Sequence, residues 1–203
     1  MNHINALQNH AHVSHSDRRS RYGFAVHLLA RWPSAVGLLA LLANTAGGLD
    51  AHVTAMIIIL AAMCYVAAAA LGSRRSGWWV LAGVVVAVVV AAVTGLDSTT
   101  TLLVLGAGFA VFGFLRGPGV DRRELALQTL GFAGFSVIAL TAMMVNPLLA
   151  VYLAAAASLG HAGWDLAHFI RNRAVGRSFS EFCFVLDIGL GVVLLLTAWN
   201  ALP

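Results

Sequence analysis

The sequence predicts an all-α fold: a polytopic transmembrane helical bundle of about seven spans, amino terminus cytoplasmic and carboxyl terminus outside. Three observations predict it. The 203 residues are 60% hydrophobic and only 10% charged, where a soluble domain carries roughly 25% charged residues. Apolar stretches of bilayer length follow one another with short polar breaks. All twelve basic residues are arginine, and their clusters fall on alternate breaks, which is the positive-inside pattern.

The elements follow in order. Residues 1–22 are polar and carry His3, His10, His12, His15, Arg18, Arg19 and Arg21. They read as a flexible cytoplasmic tail, and residues 23–203 as the transmembrane domain. The tail histidines have the spacing of a weak metal site, but the segment has no ordering signal. The first span runs from Tyr22 or Pro33 to Gly47. Pro suits the first turn of a helix, and Trp32 and Arg31 suit an interface, so the span starts at Pro33 or kinks there. The long polar leader and the sequence around Asn44 argue against a cleaved signal peptide.

The second span is Val53–Leu71, with Asp50 placed to cap it. Arg74 and Arg75 follow. The third is Trp78–Thr94 and the fourth Thr100–Leu115. Arg116, Arg122 and Arg123 precede the fifth, Leu125–Val145. Asn146-Pro147 turns into the sixth, Pro147–Ile170. Arg171, Arg173 and Arg177 separate it from the seventh, Phe182–Trp199. The breaks at Asp50, Asp97 and Asn146, and the carboxyl tail, hold no arginine.

Composition excludes several classes. A pI near 9.8 would suit nucleic acid, but the arginines flank apolar spans, so no nucleic-acid partner is expected and membrane lipids are. Cys64 and Cys183 lie in or beside spans and do not make a disulfide framework. Small residues such as Ala67–Ala70 mark close helix packing. There is no internal repeat of the kind that inverted-repeat transporters carry.

The chemistry gathers in His161-Ala-Gly-Trp-Asp165-Leu-Ala-His168, followed by Cys183 and Asp187. At 100° per residue His161, Asp165 and His168 share one helical stripe. Ionisable groups inside a membrane are costly and point to function. Counted from the arginine side, Asp165 lies roughly 7 Å deep, His161 roughly 13 Å and Asp187 about 10 Å. A short loop makes the last two spans antiparallel neighbours, so His161 and Asp187 can meet with Asp165 and Cys183 beside them. Two imidazoles and two carboxylates in a dry site suit zinc or iron. On this reading His161, His168 and Asp187 are metal ligands, Asp165 is the catalytic base, and Cys183 and His27 are accessory.

Each residue also has a structural reading. His168 can snorkel to the interface. Asp165 can pair with Arg171 or Arg31. His161 and Asp187 can form a hydrogen-bonded pair that fixes packing. Cys183 can be an apolar filler. Glu181 fits a capping box with Ser178, and Trp164 fits a packing role. Tyr65 and Gln128 lie toward the same end of their spans.

The stretch His161 to His168, with Cys183 and Asp187, resembles a pattern in an uncharacterised family of small bacterial multi-pass membrane proteins. That pattern is His-Ala-x-Trp-Asp-x-x-His, then Cys-x-x-x-Asp on the next span. The resemblance covers about the last fifty residues. Phe169 stands where members often carry a further histidine. It implies a membrane protein and no particular activity. A looser likeness is to the alkaline-ceramidase superfamily, seven-span hydrolases with an intramembrane zinc. It implies comparable parts for His161, His168 and Asp187, with His27 as the third histidine by depth. A microbial rhodopsin is excluded because the chain has no lysine.

Three functions are expected to compete. The first is a metal-dependent membrane enzyme, of hydrolase type, acting on a lipid or apolar small molecule in the inner membrane of a bacterial-type cell. The second is a proton- or ion-coupled carrier. The third is a non-catalytic membrane subunit or assembly factor.

Overall fold

The structure is a computed structural model that describes residues 31–117 and 119–200. The tail expected over residues 1–22 and the accessory His27 lie outside the described residues. Seven α-helices follow in order: α1 (Trp32–Thr45), α2 (Ala51–Leu71), α3 (Gly77–Thr94), α4 (Ser98–Leu115), α5 (Arg122–Met144), α6 (Pro147–Arg171) and α7 (Arg177–Asn200). A 3-10 turn, Arg74–Ser76, leads into α3. Six of the seven are long and apolar enough to cross a membrane. The chain is a multi-pass membrane protein.

Local chemistry sets the boundaries. Asp50 accepts from the backbone N–H of His52 at 2.6 Å and of Val53 at 3.4 Å. Asp121 caps α5 through Arg123 and Glu124, and Asn146 caps α6 through Leu149. Each side chain satisfies amide groups that the first helical turn leaves free. Asp97 accepts from Thr100 N–H at 2.6 Å. Hydrogen bonds from Thr100 hold the Asp97 carboxyl below its usual range, so this cap weakens as pH falls through that lowered value. Gly72 and Gly95 close α2 and α3 at φ of 65° and 75°, a conformation that costs glycine little.

One of the two expected starts of the first span is found, and one other expectation is corrected. The first span starts at Trp32 with Pro33 in its opening turn, and as described it has only 14 residues. That is about 21 Å of helix, short of a hydrocarbon core of about 30 Å. The Ser178–Glu181 capping box does not form. The backbone N–H groups of Phe179 and Ser180 bond to the Gly176 carbonyl, so α7 is already helical at Arg177. Glu181 is instead claimed by Ser34 and by Arg31 across the α1–α7 contact. Ser178 accepts from Trp78 Nε1 at 3.1 Å.

The bundle is built around α2, which touches every later helix. From Ala61 to Ala70 each of its residues is buried. Its alanines allow that approach, because short side chains let backbones close in where lipid supplies no hydrophobic drive. At Gly113 of α4 an added Cβ would stand 2.8 Å from Ala70 and from Leu125. α6 and α7 pack antiparallel, with Gly191 seated under Leu159 and the Ala155 carbonyl. α1 packs along α7 in parallel: Gly37 lies under Val185, and Gly189 under Leu41. The outer faces are apolar and exposed, as at Trp79, Val93 and Leu130, which is what a lipid solvent permits.

The arginines of the described residues gather at the ends formed by Arg31, Arg74, Arg116, Arg122 and Arg171. The opposite ends carry Asp50, Asp97 and Asn146 and no arginine.

Gly113→Ala is expected to lower thermal stability in detergent by about 1–3 kcal/mol, the usual cost of overpacking. Gly108→Ala on the same helix meets nothing within 4 Å. It should leave the melting temperature unchanged or raise it slightly.

Candidate metal centre

The buried face of α6 recurs at Ala150, Ala154, Ala157, Ser158, His161, Asp165 and His168, a helical period that turns apolar to polar halfway along. The buried face of α7 brings Ser180, Cys183 and Asp187 opposite it. Ser158 Oγ donates to the Asp187 carbonyl at 3.0 Å and fixes the register of the two helices.

The stripe then closes on itself. His161 Nδ1 lies 2.8 Å from Asp187 Oδ2 and 3.4 Å from Asp165 Oδ2. Asp165 Oδ1 accepts from the Tyr65 hydroxyl at 2.6 Å. Ser180 Oγ stands 3.3 Å from that hydroxyl. Phe135 and Tyr65 meet the His161 ring edge-on, with centroids at 4.9 and 5.7 Å. His161, Asp165 and Asp187 are all 0% exposed. Measured along α6 and α7 from their arginine ends, His161 and Asp187 each lie about 15 Å in, close to mid-bilayer.

This triad could hold a metal ion. One ligand atom from each residue lies within 4.8 Å of the others. With metal–ligand bonds near 2.0–2.2 Å, donors on a tetrahedral centre stand about 3.4 Å apart. The His161–Asp165 separation already has that value, and the His161–Asp187 pair needs to open by roughly half an ångström. Each residue keeps an unpartnered buried atom: His161 Nε2, Asp165 Oδ2 and Asp187 Oδ1. Buried polar atoms are normally paired, so the two carboxylate orphans leave the cluster with unused binding capacity, while His161 Nε2 is not the ring nitrogen that faces the carboxylates. Two carboxylates and a neutral imidazole carry two negative charges, which one divalent cation balances. Among the described residues, His161 is the only cationic partner within ion-pair reach of Asp165 or Asp187.

The expected residues divide into two groups. His161 and Asp187 meet as expected, and Asp165 lies beside them as expected, its Oδ2 3.4 Å from His161 Nδ1. His168 is not in this group. Its Nδ1 donates to the Trp164 carbonyl at 2.8 Å, and its Nε2 accepts from Gln128 Nε2 at 2.7 Å. Gln128 also donates to Glu124 at 2.6 Å and accepts from Trp164 Nε1 at 3.2 Å. Both ring nitrogens of His168 are therefore spoken for. Its cluster borders a cleft at the arginine end lined by Glu124, Leu127, Arg171 and Arg173. Cys183 is buried one turn before Asp187 and makes no described hydrogen bond to the triad.

Sequence reasoning placed Tyr65 among the polar groups at this end of the bundle without a specific role, and missed Glu124, Ser158 and Ser180. Tyr65 offered one signal: a lone phenol among alanines near the inner end of an otherwise apolar span. The expected pairing of Asp165 with Arg171 or Arg31 does not occur. Tyr65 and His161 take Asp165, and Arg31 goes to Glu181.

Compared with family models, curated proteins and solved structures, the chain matches none.

Tyr65→Phe removes the hydrogen bond that Asp165 Oδ1 accepts. It is expected to destabilise the bundle by about 1–3 kcal/mol, the cost of a buried unsatisfied group. Thermal unfolding in mild detergent measures this, and Tyr152→Phe on the half-exposed face of α6 serves as the near-neutral control.

Proposed function

We propose that this protein is a metal-dependent membrane enzyme acting on a lipid or other apolar substrate, with His161, Asp165 and Asp187 holding one divalent cation. The observation that carries this reading is the pair of fully buried carboxylates around one imidazole, with no arginine within reach among the described residues and one oxygen of each carboxylate unpartnered. Burying two carboxylates without a cation costs several kcal/mol each, and a metal removes most of that cost. A donor set of one nitrogen and two oxygens suits zinc or ferrous iron. A bound metal would supply Lewis-acid polarisation or an acidified water to a substrate in the dry interior.

The chain's own residues prepare the site. Ser158 sets the height of Asp187 against His161. Tyr65 orients Asp165 by its hydroxyl, as an outer hydrogen bond orients a metal ligand. Phe135 and the apolar wall of α2 keep water out. On the positive-inside rule the arginine end faces the cytoplasm, and an inner membrane is part of this proposal.

One observation favours a second reading, a proton- or ion-coupled carrier. His161 and Asp187 are already in direct hydrogen-bond contact at 2.8 Å, an arrangement that can hold a proton without a metal.

Metal content separates the two. Protein purified in mild detergent is expected to carry near-stoichiometric zinc or iron, and His161→Ala and Asp187→Ala are each expected to lose it. His168→Ala should keep the metal. Well-folded native protein that stays metal-free after zinc and iron supplementation would overturn the enzyme reading and make pH-driven flux in vesicles the next assay.

A further inference from the structure

A second site lies away from the metal centre, where the arginine ends of α5 and α6 meet. Two adjoining clefts lie there, of about 370 and 360 Å³, within the range of about 300–1,000 Å³ common for small-ligand sites. Glu124 and Arg173 line both. The first cleft, between α5 and α6, adds Leu127, His168 and Arg171. The second runs toward the end of α2 and adds Arg74 and Asp121.

Opposite charges face this space without pairing. Among the described residues neither Arg171 nor Arg173 forms an ion pair. The Glu124 side chain is largely buried, and its Oε1 accepts from Gln128 Nε2 at 2.6 Å and stands 3.5 Å from His168 Nε2. Its second oxygen has no hydrogen bond among the described residues. Arg173 is placed by its backbone. It stands between Asn172 and Ala174, both in the left-handed region at φ of 50° and 60°, which residues with a Cβ seldom adopt. Two hydrogen bonds tie this loop to the turn before α3. Arg74 Nη1 donates to the Asn172 carbonyl and the Gly176 N–H to the Arg74 carbonyl, each at 2.8 Å. Such backbone persists where its surroundings fix it, and it gathers at ligand clamps.

Depth decides what the first cleft meets. The apolar run of α5 begins at Leu125 and that of α6 ends at Ile170, so Glu124, Arg171 and Arg173 stand where hydrocarbon gives way to head groups. Leu127, in the cleft wall, and Leu130, one turn deeper, are exposed on α5, as Ile170 is on α6. Within a span, exposed apolar side chains of this kind face lipid. A molecule in the cleft therefore meets fixed charge of both signs at one end and hydrocarbon at the other.

We propose that the cleft between α5 and α6 binds the head group of a phospholipid that carries both a phosphate and an ammonium group, of the phosphatidylethanolamine type. Arg171 and Arg173 take the phosphate through charge-assisted hydrogen bonds, and the second oxygen of Glu124 takes the ammonium. One lipid chain descends over Leu127 and Leu130. Glu124 opposes a head group that is only anionic, because the carboxylate would then face like charge with nothing to offset it. This is a binding site and involves no reaction. It does not rest on the metal centre or on the enzyme reading above.

The test is lipid titration of the full-length protein in mild detergent, read by native mass spectrometry and by thermal shift. The probes are phosphatidylethanolamine, phosphatidylglycerol and soluble phosphoethanolamine. Phosphatidylethanolamine is expected to bind about fivefold more tightly than phosphatidylglycerol, the scale of one partly screened ion pair. Arg171→Gln and Arg173→Gln are each expected to weaken both lipids about tenfold, the scale of a charge-assisted hydrogen bond. Glu124→Gln keeps an acceptor for Gln128 and is expected to remove the preference between the two lipids. Arg75→Gln changes an exposed arginine that lines neither cleft and should bind lipid as the native protein does. Phosphatidylglycerol bound as tightly as phosphatidylethanolamine by the native chain overturns the proposal. So does lipid binding that keeps its native strength in both Arg171→Gln and Arg173→Gln, or an equal loss in Arg75→Gln. Soluble phosphoethanolamine bound as tightly as the lipid would make the ligand a soluble phosphate and overturn the lipid assignment. None of these readouts depends on metal content, so failure here leaves the metal centre standing, and a metal-free protein leaves the cleft standing.

Discussion

The structure depends on how two carboxylates are kept inside a membrane. Asp187 and Asp165 sit about 15 Å and about 9 Å from the arginine ends of their helices, fully buried, with one imidazole between them. In a medium of low dielectric, charges of one sign cannot share a site unless something offsets them. The protein supplies a hydroxyl from α2, a ring from α6 and close packing of α6 on α7. It does not supply an arginine. Every arginine among the described residues is spent near the ends of the helices, where topology needs it. The balance of charge at the centre is therefore left to an ion or a proton.

The rest of the bundle is arranged to make that centre rigid. α2 is alanine-rich because five helices have to reach it, and Tyr65 can meet Asp165 only if α2 and α6 come close. Gly191 lets α7 approach α6 by the same device, and Ser158 sets the register. A donor placed on packed helices keeps its position better than one on a loop. The second polar cluster, His168 with Gln128, Trp164 and Glu124, is a separate unit. It is closed by its own hydrogen bonds and lies at the arginine end, with the Tyr65 ring 5.0 Å from His168 between the two clusters. α1 belongs to neither cluster. It packs along α7 and meets α3 through Trp32 and Trp78.

Much of this was legible in the sequence, for definite reasons. The spans beginning near Ala51, Gly77, Ser98, Arg122 and Pro147 could be placed within a few residues, because bilayer length and cap residues such as Asp50 and Asn146 act locally. Helical spacing put His161, Asp165 and His168 on one stripe, and the short loop after Arg171 put Asp187 opposite. A stripe does not say how far along it a site extends. One turn separates Asp165 from His168, and across that turn the neighbour changes from α7 to α5. Only packing shows that Gln128 takes His168 and that Tyr65 takes Asp165. The start of α7 was misplaced because Ser178 and Glu181 have the spacing of a capping box, while Gly176 ends the preceding turn and Glu181 is drawn away by Ser34 and Arg31.

X-ray absorption at the metal edge of the purified native protein tests the central claim most directly. The account predicts a first shell made only of nitrogen and oxygen at about 2.0–2.2 Å, with outer scattering from one imidazole. A sulfur scatterer near 2.3 Å would bring Cys183 into the shell. Two imidazoles would bring in His168 or a histidine outside the described residues. Either result would contradict a centre made of His161, Asp165 and Asp187.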